Sequence, residues 1–168
     1  MSSSKRRVKK QSSAGLEEKA REYAFLLLKF RLRSEQELCG RMKQKKFPPA
    51  VIDSTMRFLK EKKFIDDSLF SRAWLDSRLK RSIGIRRIKN ELRQKGIKPA
   101  LIEGSVEAAR EGYNEDEVVR SLISRKLRSL KGLDIRKTKQ RLYAFLFRRG
   151  FSSDAIADNL NQILKDES

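Results

Sequence analysis

The residues with most chemistry to offer in this 168-residue chain are cations. Between positions 78 and 98 stand Arg78, Lys80, Arg81, Arg86, Arg87, Lys89, Arg93, Lys95 and Lys98, against Glu91 alone. Guanidinium and ammonium groups at this density suit polyanions, whether phosphate backbones or acidic protein surfaces. On a 3.6-residue wheel Arg86, Lys89 and Arg93 fall together beside an apolar stripe of Ile85, Ile88 and Leu92. Taken alone, that stretch is an ordinary amphipathic helix with a solvated basic face. A second basic run, residues 120–149, sets eleven cations, Arg136, Lys137 and Arg141 among them, against Asp134. Residues 99–119 reverse the sign, with six acids against Arg110.

Other chemistry is poorly supplied. The chain has no histidine, which excludes Ser-His-Asp and Cys-His arrangements and His-containing zinc sites. The single cysteine, Cys39, excludes an internal disulfide and lies on an apolar stripe, where it reads as a small core residue. No GxxxxGK[ST] or GxGxxG loop is present to cradle a phosphate. The carboxylates gather at helix starts, where the macrodipole favours them, and none is spaced to recommend a metal nuclease. The expectation is therefore a protein without catalytic activity, cofactor or metal. No apolar run approaches the roughly 18 residues of a membrane span, so no membrane partner is expected. The first ten residues lack the apolar core of a signal peptide. A cytoplasmic monomer is expected.

The elements that must carry these cations are helices. Hydrophobic and charged residues each make up 38% of the chain, and only eight Gly and three Pro mark turns. That balance suits an all-α, elongated protein. Residues 1 to about 15 mix Ser, Lys and Arg with isolated apolar residues and read as a disordered basic arm. From Leu16 helical periodicity takes over, with Ala20, Tyr23, Ala24, Leu27 and Leu28 as an inward stripe. Ser34-Glu35-Gln36-Glu37 has the form of a capping box opening a second helix, and Phe47-Pro48-Pro49 leads into a third.

The pattern then repeats. Leu38, Met42, Phe47, Ile52 and Met56 are separated by 4, 5, 5 and 4 positions. The same spacing returns at Ile88, Leu92, Ile97, Ile102 and Val106, and again at Leu142, Leu146, Phe151, Ile156 and Leu160. Three tandem three-helix repeats follow, over residues 16–67, 68–117 and 118–168. Gly96 and Gly150 occupy equivalent helix-closing positions, as a left-handed turn requires. The first repeat has Lys46 there, so either Lys46 accepts a positive φ or its turn differs. Trp74 aligns with Ala24 and reads as core. Most of the excess charge falls on the first two helices of the second and third repeats. If those helices align, they form a basic strip. No aromatic residues interleave with the cations in the manner of a single-strand binder, and no Asn/Gln-rich recognition face appears. Sequence-independent contact is expected.

Phe64-Ile65-Asp66-Asp67 followed by Phe70, then Arg78-Leu79 and the segment from Gly84 to Ile97, resemble the RecX family of bacterial recombination regulators. The resemblance is strongest from Tyr23 to Ile102 and continues more loosely through the third repeat. Lys46, where such families usually have glycine, and Gly104, inside a helix, depart from it. The resemblance implies three three-helix repeats in a curved, solenoid-like chain. It also implies a partner, the RecA recombinase and its filament on DNA, whose strand exchange and ATP hydrolysis such proteins commonly inhibit. The alternative is a sequence-independent DNA-binding protein that acts by competing for DNA. Candidate contact residues are Arg78, Lys80, Arg81, Arg86, Arg87, Lys89, Arg93, Lys95, Arg136, Lys137 and Arg141.

Overall fold

The apolar spacing read from the chain is the spacing of three separate helical cores. The computed structural model describes residues 13–166. All the regular structure among them is helical: α1 (Ser13–Phe30), α2 (Glu35–Gln44), α3 (Pro49–Glu61), α4 (Asp67–Leu79), α5 (Ile85–Gln94), α6 (Pro99–Arg110), α7 (Glu115–Leu127), α8 (Ile135–Arg149) and α9 (Ser153–Asp166). A single 3₁₀ turn, Arg128–Leu130, follows α7. The expected basic arm lies outside the described residues, apart from Ser13, Ala14 and Gly15, which begin α1.

The chain forms two compact units, one ending at Asp67 and the other beginning at Ser68. In the first, Ala24, Leu27, Leu38, Met42, Ile52, Leu59 and Ile65 are buried together, with Cys39, Phe47 and Met56 packed on their rim. Cys39 is thus a packing residue. Ser34 caps α2 as the sequence indicates: its side chain accepts from the Glu37 amide, and the Glu37 carboxylate accepts from the Ser34 amide. Asp67 closes the unit, its Oδ1 accepting from the Glu35 amide at 2.9 Å. Burial raises the Asp67 pKa despite that bond.

The second unit holds two cores. Phe70, Leu75, Ile88, Leu92, Ile97, Ile102 and Val106 form one, with Trp74 packed against it. Val119, Leu122, Ile123, Leu130, Leu142, Leu146, Phe151, Ile156 and Leu160 form the other. Every residue of the repeating apolar frame is buried or packed on a core, so the shared spacing reports shared packing. The helix-closing position is left-handed in all three repeats, at φ 62° for Lys46, 78° for Gly96 and 90° for Gly150. Lys46 accepts the conformation that glycine adopts without strain.

Candidate polyanion-binding surface

Helix α5 carries the densest cations, and its two ends differ. Ser, Thr, Asp and Asn are the residues whose side chains commonly cap a helix's first amides. Gly84, the N-cap of α5, has none to offer. Instead the Gly84 amide donates to the Arg149 carbonyl at 2.9 Å, and the Arg86 amide to the Gly150 carbonyl at 3.2 Å. The last carbonyls of α8 therefore satisfy the first amides of α5. The backbones approach so closely that a Cβ on Gly84 would lie 2.3 Å from the carbonyl carbon and oxygen of Gly150. A Cβ on Gly150 would lie 2.3 Å from that of Arg87. Glycine is required at both positions by space, and at Gly150 also by its positive φ.

Side chains reinforce this junction. The Arg86 guanidinium donates to the Phe147 carbonyl at 2.6 Å, and that of Arg87 donates to the Arg148 carbonyl at 3.3 Å. Arg149 reciprocates, donating to the carbonyls of Arg81 and Ser82. Cations at the start of α5 oppose their own helix dipole, but here they meet the negative C-terminal end of α8. Arg86 and Arg87 thus join the second repeat to the third.

A second group holds the centre of α5 to α4. Glu91 accepts from Arg78 at 2.7 Å, from the Trp74 indole at 3.0 Å and from Arg87 at 3.2 Å. Burial raises the Glu91 pKa, but the bonds from Arg78, Arg87 and Trp74 outweigh it and leave a net lowering. Arg78 lies 4.1 Å from the centre of the Trp74 ring, and the Lys95 ammonium 4.2 Å from it. Trp74 is half-buried against the core, with its indole N–H held by the one acid of the basic run. Arg78, Arg87 and Lys95, all candidates for partner contact, take part in this internal cluster.

The other cations near α5 bond side chains and not backbone. Arg93 reaches Asn90 Oδ1 at 2.8 Å and is exposed. Lys89 pairs with Glu103, whose pKa that hydrogen bond lowers. Arg110, at the end of α6, pairs with Glu107 at 3.1 Å and is exposed. With Arg86, these three line an open groove of about 390 Å³ that also contains Ile85, Glu115 and Ser152. Residues of both the second and third repeats meet there. Arg86, Lys89 and Arg93, together on the helical wheel, are together in space, and Arg110 joins them. Lys80 and Arg81 are exposed beyond the end of α4, and Arg136, Lys137 and Arg141 are exposed on α8. The Asp134 side chain caps α8 by accepting from the Arg136 and Lys137 amides.

The sequence reading missed three features. Arg110 sits in an acidic run that masks it. Gly84 and Gly150 meet only in the tertiary structure. The expectation that aromatics stand apart from the cations is corrected on α8: Tyr143 and Phe147 are exposed and stacked, with ring centres 5.9 Å apart and planes 14° apart. Arg86 lies 3.9 Å from the centre of the Phe147 ring. Their i, i+4 spacing was the available signal.

Among the described residues no helix is long and apolar enough to cross a membrane. Family models for the first, second and third three-helix domains of RecX match residues 20–59, 66–104 and 114–158 respectively. The regulatory protein RecX of Streptomyces lividans is 32% identical over 151 residues, covering 89% of this chain and 80% of its own. That of Chlorobium phaeobacteroides is 34% identical over 150 residues, covering 89% and 96%. The crystal structure of RecX from Lactobacillus salivarius aligns with a TM-score of 0.77 at 20% identity, over 90% of this chain and 98% of that one. A second crystal structure of a regulatory protein RecX aligns at 0.76 and 22% identity, over 88% and 74%. These are regulatory proteins and not an enzyme family. The chain belongs to the RecX family of regulatory proteins.

Proposed function

We propose that this protein binds the RecA recombinase within the filament RecA forms on DNA, and restrains its activity in recombination and DNA repair. The observation that carries this reading is the groove where Lys89, Arg93 and Arg110 converge from α5 and α6, beside Arg86, which ties α5 to α8. It offers a concave cationic surface of fixed geometry, because the α5–α8 junction holds its walls. An acidic protein surface or a phosphate backbone fits such a surface, and a nucleoprotein filament presents both. The surrounding cations of α4 and α8 extend the attraction without specifying a base sequence. Binding takes place in the cytoplasm, where the recombinase acts, and requires no second copy of the chain.

The test is titration of the protein onto preformed RecA filaments, with ATP hydrolysis and strand exchange as readouts. Inhibition well below one molecule per recombinase protomer, unchanged by excess naked duplex, is the expected result. Inhibition that appears only near saturation of the DNA and is relieved by naked duplex would replace this reading with competition for DNA.

A further inference from the structure

We propose that the exposed face of α8 is a stacking site for single-stranded nucleic acid, with Tyr143 as its platform. The Tyr143 and Phe147 rings lie nearly parallel, 14° apart, and both reach solvent, at 37% and 41% exposure. Arg86 covers part of Phe147, its guanidinium carbon 3.9 Å from the ring centre. Guanidinium and the two rings thus form a short ladder of flat groups, which an unpaired base extends.

Cations flank the ladder along the same side of the helix. Arg136 lies seven residues before Tyr143, two turns back on nearly the same line, and Lys139 lies one turn back. Lys139 bonds Asn161 Oδ1 at 2.7 Å, which fixes the ammonium and leaves its charge unneutralised. From Arg136 to Phe147 the helix rises about 16 Å, the scale of a few nucleotides. Aromatic faces for bases with cations for phosphates are the two ingredients of sequence-tolerant single-strand binding.

The first unit provides a contrast. Its exposed Phe25 and Phe64 meet edge to face, 4.9 Å apart with planes at 88°. One ring there presents its edge to the face of the other, and no flat ladder is formed. On α4 Phe70 and Trp74 also lie nearly parallel beneath Arg78, but Phe70 is buried; α8 is distinguished by having both rings open to solvent. Duplex DNA, with its bases already stacked, offers nothing to this surface beyond its phosphates.

The test uses the full-length protein without any recombinase, so it fails or succeeds independently of the function proposed above. Fluorescence anisotropy would compare a labelled 12-mer of oligothymidylate with an abasic 12-mer of the same backbone. Wild type is expected to bind the thymidylate about tenfold more tightly; Tyr143→Ala is expected to lose that preference, and Tyr143→Phe to keep it. Equal affinity of wild type for the two oligomers would overturn the proposal. So would an unchanged preference in Tyr143→Ala, or an equal loss for both oligomers.

Discussion

The two ends of α5 carry the same kinds of residue and do different things. At its N-terminal end Arg86 and Arg87 face the last carbonyls of α8, and Gly84 presses against Gly150. Farther along the helix the half-buried Lys89 pairs with Glu103, and the exposed Arg93 reaches Asn90, so both bond side chains and not backbone. A cation is structural when it bonds the carbonyls that end a neighbouring helix. It is available to a partner when its contacts are ion pairs or hydrogen bonds to side chains that can exchange. Charge density alone does not separate the two roles; the choice between backbone and side-chain acceptors does.

The sharpest way to break this contrast is at the junction. Gly84→Ala places a Cβ 2.3 Å from the Gly150 backbone, which no rotamer change relieves. It is expected to destabilise the second unit by about 2–3 kcal/mol, lowering its Tm by roughly 10–20 °C in calorimetry, and to leave the first unit unaffected. A Tm within two or three degrees of wild type would mean that the close approach does not hold these repeats together.

Glu91 lies between the two ends, and its removal is expected to cost less. Glu91→Gln should destabilise by about 1–2 kcal/mol, since Arg78 and Arg87 lose a charged acceptor. The effect depends on pH. The Glu91 pKa is lowered on folding from an ordinary 4.5, so its contribution is complete above pH 4.5 and is lost as pH falls through the lowered value. The stability gap between wild type and Glu91→Gln should therefore close under acid in chemical unfolding curves. A gap that persists unchanged to low pH would assign Glu91 a role in packing alone.

A smaller effect of opposite sign comes from Gly104. It lies within α6, and a Cβ there meets nothing within 4 Å. Gly104→Ala is expected to stabilise the second unit by about 0.5–1 kcal/mol, because alanine loses less backbone entropy in a helix. Two glycines of one unit thus predict opposite responses to one methyl group, in the same calorimetric experiment.

Much of this molecule is legible in its sequence. The 4, 5, 5, 4 apolar spacing located three cores because helical burial is a local, periodic demand. The Ser34 capping box and Pro49 were legible for the same reason. The α5–α8 junction was not, since Gly84 reads as any loop glycine until Gly150, 66 positions away, is brought against it. The helical wheel brought Arg86, Lys89 and Arg93 to one face, where they line one groove, but it was silent on the carbonyl that engages Arg86. One signal lay in view: Glu91, the sole acid among nine cations, marked the point where the basic run folds on itself.

The central claim is that Lys89, Arg93 and Arg110 serve the partner while Arg86 and Arg87 serve the fold. The most direct measurement is inhibition of ATP hydrolysis on preformed RecA filaments by the triple variant Lys89→Gln, Arg93→Gln, Arg110→Gln, with thermal unfolding in parallel. The account predicts at least a tenfold loss of inhibition at physiological salt, with a Tm within about 3 °C of wild type. Undiminished inhibition by the folded triple variant would contradict it.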